Sequence, residues 1–164
     1  MKKLVTLGLC LAAAAAAQTK ISGTGKCGKP ETQHSIEVGD RPGHMIVIVK
    51  QACTWTAPIE MEGVKAKGYT TAIVSDVSGQ KAMDRGYVVV TMENGDKAFV
   101  RVNAGTSIMG KDGQPESDEG TWSYTGGTGK FKGLKGKGSY QGKAGADGFM
   151  DRIEGEYSLT AGKS

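Results

Sequence analysis

The chain has 164 residues, 26 of them glycine, and a formal net charge of +4. This length suits one domain that can bury a core without extra cross-links. Without Lys2 and Lys3, which lie in an N-terminal leader, 19 basic residues face 17 acids. That balance is too even to indicate a nucleic-acid partner or a charged membrane surface.

The N-terminal segment has the pattern of a secretory signal peptide. Lys2 and Lys3 precede an apolar run that ends in three alanines before Gln18, which is the arrangement of a cleavage site. The run is shorter than the roughly 20 residues that a membrane span needs. We therefore predict a signal peptide at 1–17 and a single domain at 18–164. We expect the protein to be periplasmic or secreted, without stable membrane insertion.

The three cysteines divide between the leader and the domain. Cys10 follows Leu9, where a lipoprotein signal has a small residue, so the pattern argues against lipidation. Cys27 and Cys53 remain after cleavage, and an exported chain with two thiols favours one intramolecular disulfide. Two separately buried free thiols are the alternative. Closing a loop of this length would stabilise the fold by about 3 kcal/mol.

The domain alternates apolar and polar residues between glycine, proline and asparagine breaks, with no credible helix. A turn is expected at 39–43, a loop or single helical turn at 57–68, and a mobile loop at 110–120. Strands spaced in this way indicate an all-β sandwich or barrel. The predicted strands are 19–27, 33–38, 44–56, 69–79, a hairpin over 85–103, and 120–125, 134–143 and 149–159.

The hairpin carries the clearest local signal. Asn94-Gly95 between alternating runs predicts a two-residue type I′ turn, which pairs Glu93 with Asp96 and Val89 with Val100. The like charges of Glu93 and Asp96 are a weakness of this register. In it Arg101 points outward, and the inward face carries Tyr87, Val89, Ala98, Val100 and Val102.

The glycine- and lysine-rich stretch 126–143, GGTGKFKGLKGKGSYQGK, is compatible with a phosphate-binding loop, a basic strip for nucleic acid, a flexible tail or a β-strand. It lacks the first glycine and the hydroxyl residue of a phosphate-binding loop, and the GTGKCG motif at 23–28 precedes no helix. From residue 134 the period is two, which predicts a strand with its lysines outward and its glycines inward. The inward glycines would leave room for the rings of Trp122 and Tyr124 on the preceding strand. No aromatic residue shares the lysine face, so the pattern argues against nucleic-acid binding.

The segment GGTGKFKGLKGKG (126–138) and the ending EGEYSL (154–159) resemble the late strands of the allene oxide cyclase and dirigent proteins. The resemblance implies an eight-stranded antiparallel closed β-barrel, calycin-like in form, with Phe131 capping one end of the core. With the leader, it implies an exported bacterial member of that superfamily. In the plant enzymes the cavity is mostly apolar, and it holds an unsaturated fatty-acid epoxide for cyclisation or guides the coupling of phenoxy radicals. Many are trimers, which leaves an oligomer open here.

The motif match transfers no catalytic residue, so candidates come from inward-facing positions. Asp151 is the one acid on the apolar face of 149–159 and is a weak catalytic candidate, since an acid near a strand end is more often solvated. Inward aromatic residues are candidates for ligand binding, although such residues more often form core. His34 and His44 begin strands outside any ligand cluster, so we expect no metal and no cofactor. The candidate aromatic residues are Trp55, Tyr87, Trp122, Tyr124 and Tyr140.

These observations favour a small exported barrel that binds a small hydrophobic molecule. An allene-oxide-cyclase-like isomerase or cyclase is one alternative, suggested by the resemblance. A structural envelope protein with a filled barrel is the other.

Overall fold

The computed structural model describes residues 18–146 and 148–160, so the predicted signal peptide lies outside the described residues. One short 3-10 turn, Gly129–Phe131, interrupts a chain of antiparallel strands. Within these ranges no helix is long and apolar enough to cross a bilayer. The strands are β1 (Thr19–Cys27), β2 (Thr32–Glu37), β3 (His44–Ala57), β4 (Glu60–Met61), β5 (Val64–Ser78), β6 (Lys81–Met92), β7 (Lys97–Met109), β8 (Pro115–Gly127), β9 (Leu134–Gly145) and β10 (Gly148–Leu159).

Eight strands close into a barrel in the order β1-β10-β9-β8-β7-β6-β5-β3, and β3 pairs with β1 to complete the ring. β2 extends the sheet beside the first half of β3, and β4 pairs only with the start of β5. Every pairing is antiparallel. The prediction of an all-β, eight-stranded closed antiparallel barrel is confirmed.

The two faces of β9 divide as the period of two predicts. Leu134 is fully buried, and the glycines that follow it at every second position face the lumen. Lys135, Lys137 and Lys143 are exposed. Gly138 pairs with Gly155 of β10, and the indole of Trp122 lies against both. The glycines therefore make room for a large ring inside a narrow barrel.

One end of the barrel is closed by apolar side chains. Phe131 is completely buried, which confirms its predicted capping position. Ile59 and Met61, which are 2% and 1% exposed, lie on a tight hairpin at the start of β5. The prediction of a loop or helical turn at 57–68 is wrong, because Glu62 and Gly63 both take positive φ, 51° and 71°, as a two-residue hairpin turn requires.

The β6–β7 hairpin has a three-residue loop, so the predicted two-residue type I′ turn is wrong. The amide of Met92 donates to the carbonyl of Asp96 over 2.9 Å, and Gly95 takes a φ of +86° within the loop. A loop whose last residue is a left-handed glycine is the common three-residue form. It removes the direct pairing of Glu93 with Asp96.

The longer loop shifts the register by one residue. Val89 now faces Phe99, and Val88 faces Val100. The predicted inward face is therefore correct on β7 and wrong on β6. Arg101 is exposed, as predicted. The lumen receives Val88, Val90 and Met92 from β6 and Ala98, Val100 and Val102 from β7.

The predicted mobile loop at 110–120 is shorter in the structure. A turn occupies 110–114, where the amide of Gly110 donates to the carbonyl of Gln114 over 2.7 Å, and β8 begins at Pro115. The polar composition of 115–120 concealed a strand whose inward positions, Asp118 and Gly120, keep the period of Trp122.

Cys27 and Cys53 lie opposite each other on β1 and β3, with their Cα atoms 4.1 Å apart, and their side chains form a disulfide. The predicted intramolecular disulfide is confirmed. Both half-cystines are buried, and the bond joins residues 26 positions apart. In the chain-entropy description this contributes about 3 kcal/mol.

Candidate functional site at the open end of the barrel

Three carboxyl groups face the lumen near the end opposite Phe131, which we call the open end. We call these three residues, Asp84, Asp118 and Asp151, the acid cluster. They come from β6, β8 and β10, at the ends of those strands farthest from the apolar cap. Asp84 is 9% exposed, while Asp118 and Asp151 are half-buried. Acids at lumen positions are rare without a partner, which marks this end as chemically distinct.

Asp118 and Asp151 approach each other across a glycine. Gly142 of β9 pairs with Asp118 on one side and with Asp151 on the other. The position that a Cβ on Gly142 would take lies against Oδ1 of both carboxyl groups and against the ring of Phe149. The two oxygens are thus within about 5 Å of each other, a range in which like charges repel strongly.

Asp84 bonds to a serine and lies near a tyrosine. The hydroxyl of Ser107 donates a short hydrogen bond to Oδ2 of Asp84. The Tyr140 hydroxyl lies close to the positions that a Cβ would take on Gly105 and on Gly120. Cβ of Asp84 lies close to the first of these positions. Two further glycines therefore let a tyrosine reach the acid cluster.

The disulfide and a second tyrosine form the wall beside Asp151. The hydroxyl of Tyr69 donates a long hydrogen bond, 3.4 Å, to Oδ2 of Asp151. Sγ of Cys27 is 3.7 Å from both of these oxygens. The ring of Trp55 packs on that of Tyr69 with centroids 4.7 Å apart.

The electrostatics of the site favour neutral groups. Burial, followed by the charges of Asp151 and Asp84, raises the pKa of Asp118 to about 7, although a weak backbone hydrogen bond from Gly142 lowers it. Burial also raises the pKa of Asp151 to about 6, although the hydrogen bond from Tyr69 lowers it. Burial and the neighbouring carboxylates raise the pKa values of Tyr69 and Tyr140 above the ordinary tyrosine value. Two carboxyl groups that titrate near neutrality can exchange protons with a bound molecule.

The lumen is filled between the apolar cap and the acid cluster. Trp122 and Tyr124 are each 5% exposed and pack edge to face with centroids 4.9 Å apart. Two grooves of about 650 and 760 Å³ run along β1 and β7–β10, and most of the side chains that line them point outward, although the first groove also includes Asp118 and Gly142. A ligand inside the barrel would therefore have to lie at the open end.

Comparison with solved structures identifies the architecture. The pterocarpan synthase dirigent protein GePTS1 superimposes with a TM-score of 0.52 at 11% identity, over 93% of this chain and 91% of that one. The chain has the dirigent-type barrel fold. The pterocarpan synthase dirigent protein PsPTS1 matches with a TM-score of 0.50 at 11% identity, over 89% and 97%. A pyocyanin demethylase matches with a TM-score of 0.43 at 15% identity, over 85% and 99%. No protein-family model and no curated protein matches the sequence.

The dirigent-type barrel separates the predicted aromatic residues into three groups. Trp122 and Tyr124 are core: the indole nitrogen of Trp122 donates to the carbonyl of Ser139 over 3.1 Å, and the Tyr124 hydroxyl contacts Sδ of Met61. Trp55 and Tyr140 face the lumen and are half-buried. The predicted inward position of Tyr87 is wrong, because the register shift puts its side chain on the outer face, 59% exposed.

Sequence reasoning found one member of the acid cluster and missed two. Asp151 is half-buried with a raised pKa, rather than solvated at the rim. Asp118 was hidden in a polar stretch, although counting back in twos from Trp122 places it inward. Asp84 lay outside the predicted hairpin. It could have been found because Ala82 and Asp84 extend the every-second-residue pattern of the inward face of β6.

The two histidines lie outside the acid cluster. His34 is exposed, and His44 contacts the carboxylates of Asp40 and Asp76 through its two ring nitrogens. Among residues 18–146 and 148–160, no group of three histidine, cysteine or acidic side chains has the arrangement that a metal ion requires.

Proposed function

We propose that this protein is an exported barrel that binds a small, mainly apolar molecule at the open end of its lumen. One observation carries the proposal: Oδ1 of Asp84 and Oδ1 of Asp118 are buried with no hydrogen-bond partner among the described residues. Leaving a buried acceptor unpaired costs about 1–3 kcal/mol, so a ligand that donates a hydrogen bond there gains affinity.

An apolar wall next to the acid cluster also supports the binding of an apolar molecule at the open end. β3 and β5 continue past the disulfide, and their lumen-facing side chains stay half-buried. Val47 pairs with Ser75, which in turn pairs with Asp84, so this wall is continuous with the cluster. Burying such side chains under a ligand is favourable by about 25 cal/mol per Å². The apolar wall consists of Met45, Val47 and Val49 of β3, Ile73 of β5, and Phe149 of β10.

Export is part of the proposal, with a signal peptide at 1–17 and a mature domain from Gln18. The buried disulfide between Cys27 and Cys53 supports it, because such bonds persist in oxidising compartments.

Native mass spectrometry of the exported protein tests ligand binding. We expect a bound small molecule in the wild type, and at least a tenfold lower occupancy in Val47→Trp, whose indole would fill the open end. Ile46→Trp is the matched control, because Ile46 is the neighbouring residue on the outer face. Equal occupancy in the two variants, or a wild-type protein without any bound molecule, would contradict the proposal and favour a structural barrel.

A second candidate function is proton-transfer catalysis of the isomerase or cyclase kind. It is favoured by the pKa values of about 7 and about 6 for two carboxyl groups that adjoin each other. General acid–base catalysis works best when such values lie near the working pH. Incubating an excess of the co-purified molecule with the protein separates the two functions, because a binder returns it unchanged and an enzyme converts it.

A further inference from the structure

The acid cluster has no positive partner among residues 18–146 and 148–160. The ion pairs of the described residues involve Asp40, Asp76, Glu31 and Glu154, and none involves a member of the cluster. The lysines of β9, the strand that runs between Asp118 and Asp151, all project to the outer surface. Closely spaced carboxyl groups in a partly dehydrated site, without a counter-ion, attract a cation from solution.

The cluster also holds acceptor atoms that its own environment leaves unused. Asp84 is more than nine-tenths buried, and while its Oδ2 accepts from Ser107, its Oδ1 accepts from no side chain or amide of the described residues. Oδ1 of Asp118 is in the same state beside Oδ1 of Asp151. A ligand with several N–H donors would satisfy these atoms, whereas a carboxylate ligand would be repelled by them.

Aromatic side chains border the same space. Tyr140 reaches the cluster, Phe149 lies at the gap between Asp118 and Asp151, and the rings of Trp55 and Tyr69 pack at a tilt beside it. Aromatic rings attract organic cations through their faces and bury the apolar part of such ligands. The neighbourhood therefore suits a ligand that combines positive charge with an apolar body.

We propose that the open end selects an organic cation, namely a protonated amine carried on an apolar or aromatic body. This rests on the proposed ligand-binding function and adds the chemical class of the ligand. The amine would donate to Oδ1 of Asp84 and of Asp118, and the body would lie against the apolar wall. Fatty acids and other apolar anions are excluded by the same charges.

Three probes of similar size and different charge test the inference: benzylammonium, benzyl alcohol and benzoate. Isothermal titration calorimetry at pH 8 is expected to show benzylammonium binding at least tenfold more tightly than benzyl alcohol, and benzoate not binding. The preference for benzylammonium should fall at pH 5, because Asp118 and Asp151 gain protons there. The other titratable groups that face them are Asp84, Tyr69 and Tyr140. Asp118→Asn should reduce the preference at least fivefold, and Glu119→Gln, on the outer face of the same strand, should leave it unchanged.

The outcomes separate this inference from the function on which it rests. Equal binding of benzylammonium and benzyl alcohol, lost in Val47→Trp, would overturn the cation preference and keep the apolar site. Binding of Mg²⁺ alone, with no binding of benzylammonium, would also overturn it. If none of the aromatic probes binds, both the inference and the apolar site fail.

Discussion

Replacing Gly138 by valine is expected to destabilise the barrel by about 3 kcal/mol or more. A Cβ at this position would meet the carbonyl oxygen of Glu154, and it would lie 2.7 Å from Cε2 of Trp122. The backbone of β10 cannot withdraw without breaking its ladder with β9. The indole cannot move towards β10 either, because Cη2 of Trp122 already lies 2.8 Å from the position that a Cβ would take on Gly155.

Urea denaturation with the disulfide intact measures this effect. Ser139→Val is the matched control, because Ser139 is the next residue of the same strand and points to solvent. There the valine should change the free energy of unfolding by no more than about 0.5 kcal/mol. Equal stabilities for the two variants would show that β9 does not present its glycines to the ring of Trp122.

The stability of the barrel is expected to depend on pH through Asp118 and Asp151. The raised pKa values of Asp118 and Asp151 mean that the folded protein keeps protons that the unfolded chain releases above pH 4. Their contribution to stability is therefore fully present below about pH 4 and is lost as the pH rises through about 7. Moving a carboxyl pKa from 3.8 to about 7 corresponds to about 4 kcal/mol at most, and partial access of water reduces this.

Asp118→Asn is expected to be more stable than the wild type by about 2 kcal/mol at pH 8, which is a rise in Tm of about 6 °C. The gain should nearly vanish near pH 3.5, where the carboxyl group of Asp118 is mostly protonated in the folded and in the unfolded protein. Thermal unfolding followed by circular dichroism at both pH values measures it. Glu119→Gln controls for the loss of one negative charge. A loss of stability at pH 8 in Asp118→Asn would mean that the carboxylate has a favourable partner.

The parts of the fold that follow a strict period were predictable from the sequence. β1 has its predicted bounds, and the inward faces of β9 and β10 are as the alternation indicated. A period of two assigns a face directly, because each residue reverses the side-chain direction. The capping position of Phe131 followed from the resemblance of its turn to known barrels.

The register of the β6–β7 hairpin depended on contacts distant in sequence. Asp96 accepts a hydrogen bond from the amide of Lys130 over 3.1 Å and another from the side chain of Asn94 over 2.9 Å. These bonds fix the three-residue loop against the 3-10 turn that precedes β9. The dipeptide Asn94-Gly95 alone is compatible with either loop length, and the shift reversed the side of Tyr87.

The acid cluster was largely hidden for a related reason. Its members are 34 and 33 residues apart in sequence, and β9 lies between two of them only in the closed sheet. Gly142 brings Asp118 and Asp151 together by lacking a side chain, which is a property of the pairing rather than of any local motif. Local patterns showed which residues face inward, and the barrel determined which of them meet.

Two lumen carboxyl groups at the open end are expected to titrate far above the usual aspartate range. A carboxyl-carbon NMR titration of the wild-type protein from pH 3 to pH 9 tests this directly, with Asp118→Asn and Asp151→Asn assigning the two signals. We expect midpoints of about 7 for Asp118 and about 6 for Asp151. Midpoints near 4 for both would show that these groups are solvated, and would contradict the site.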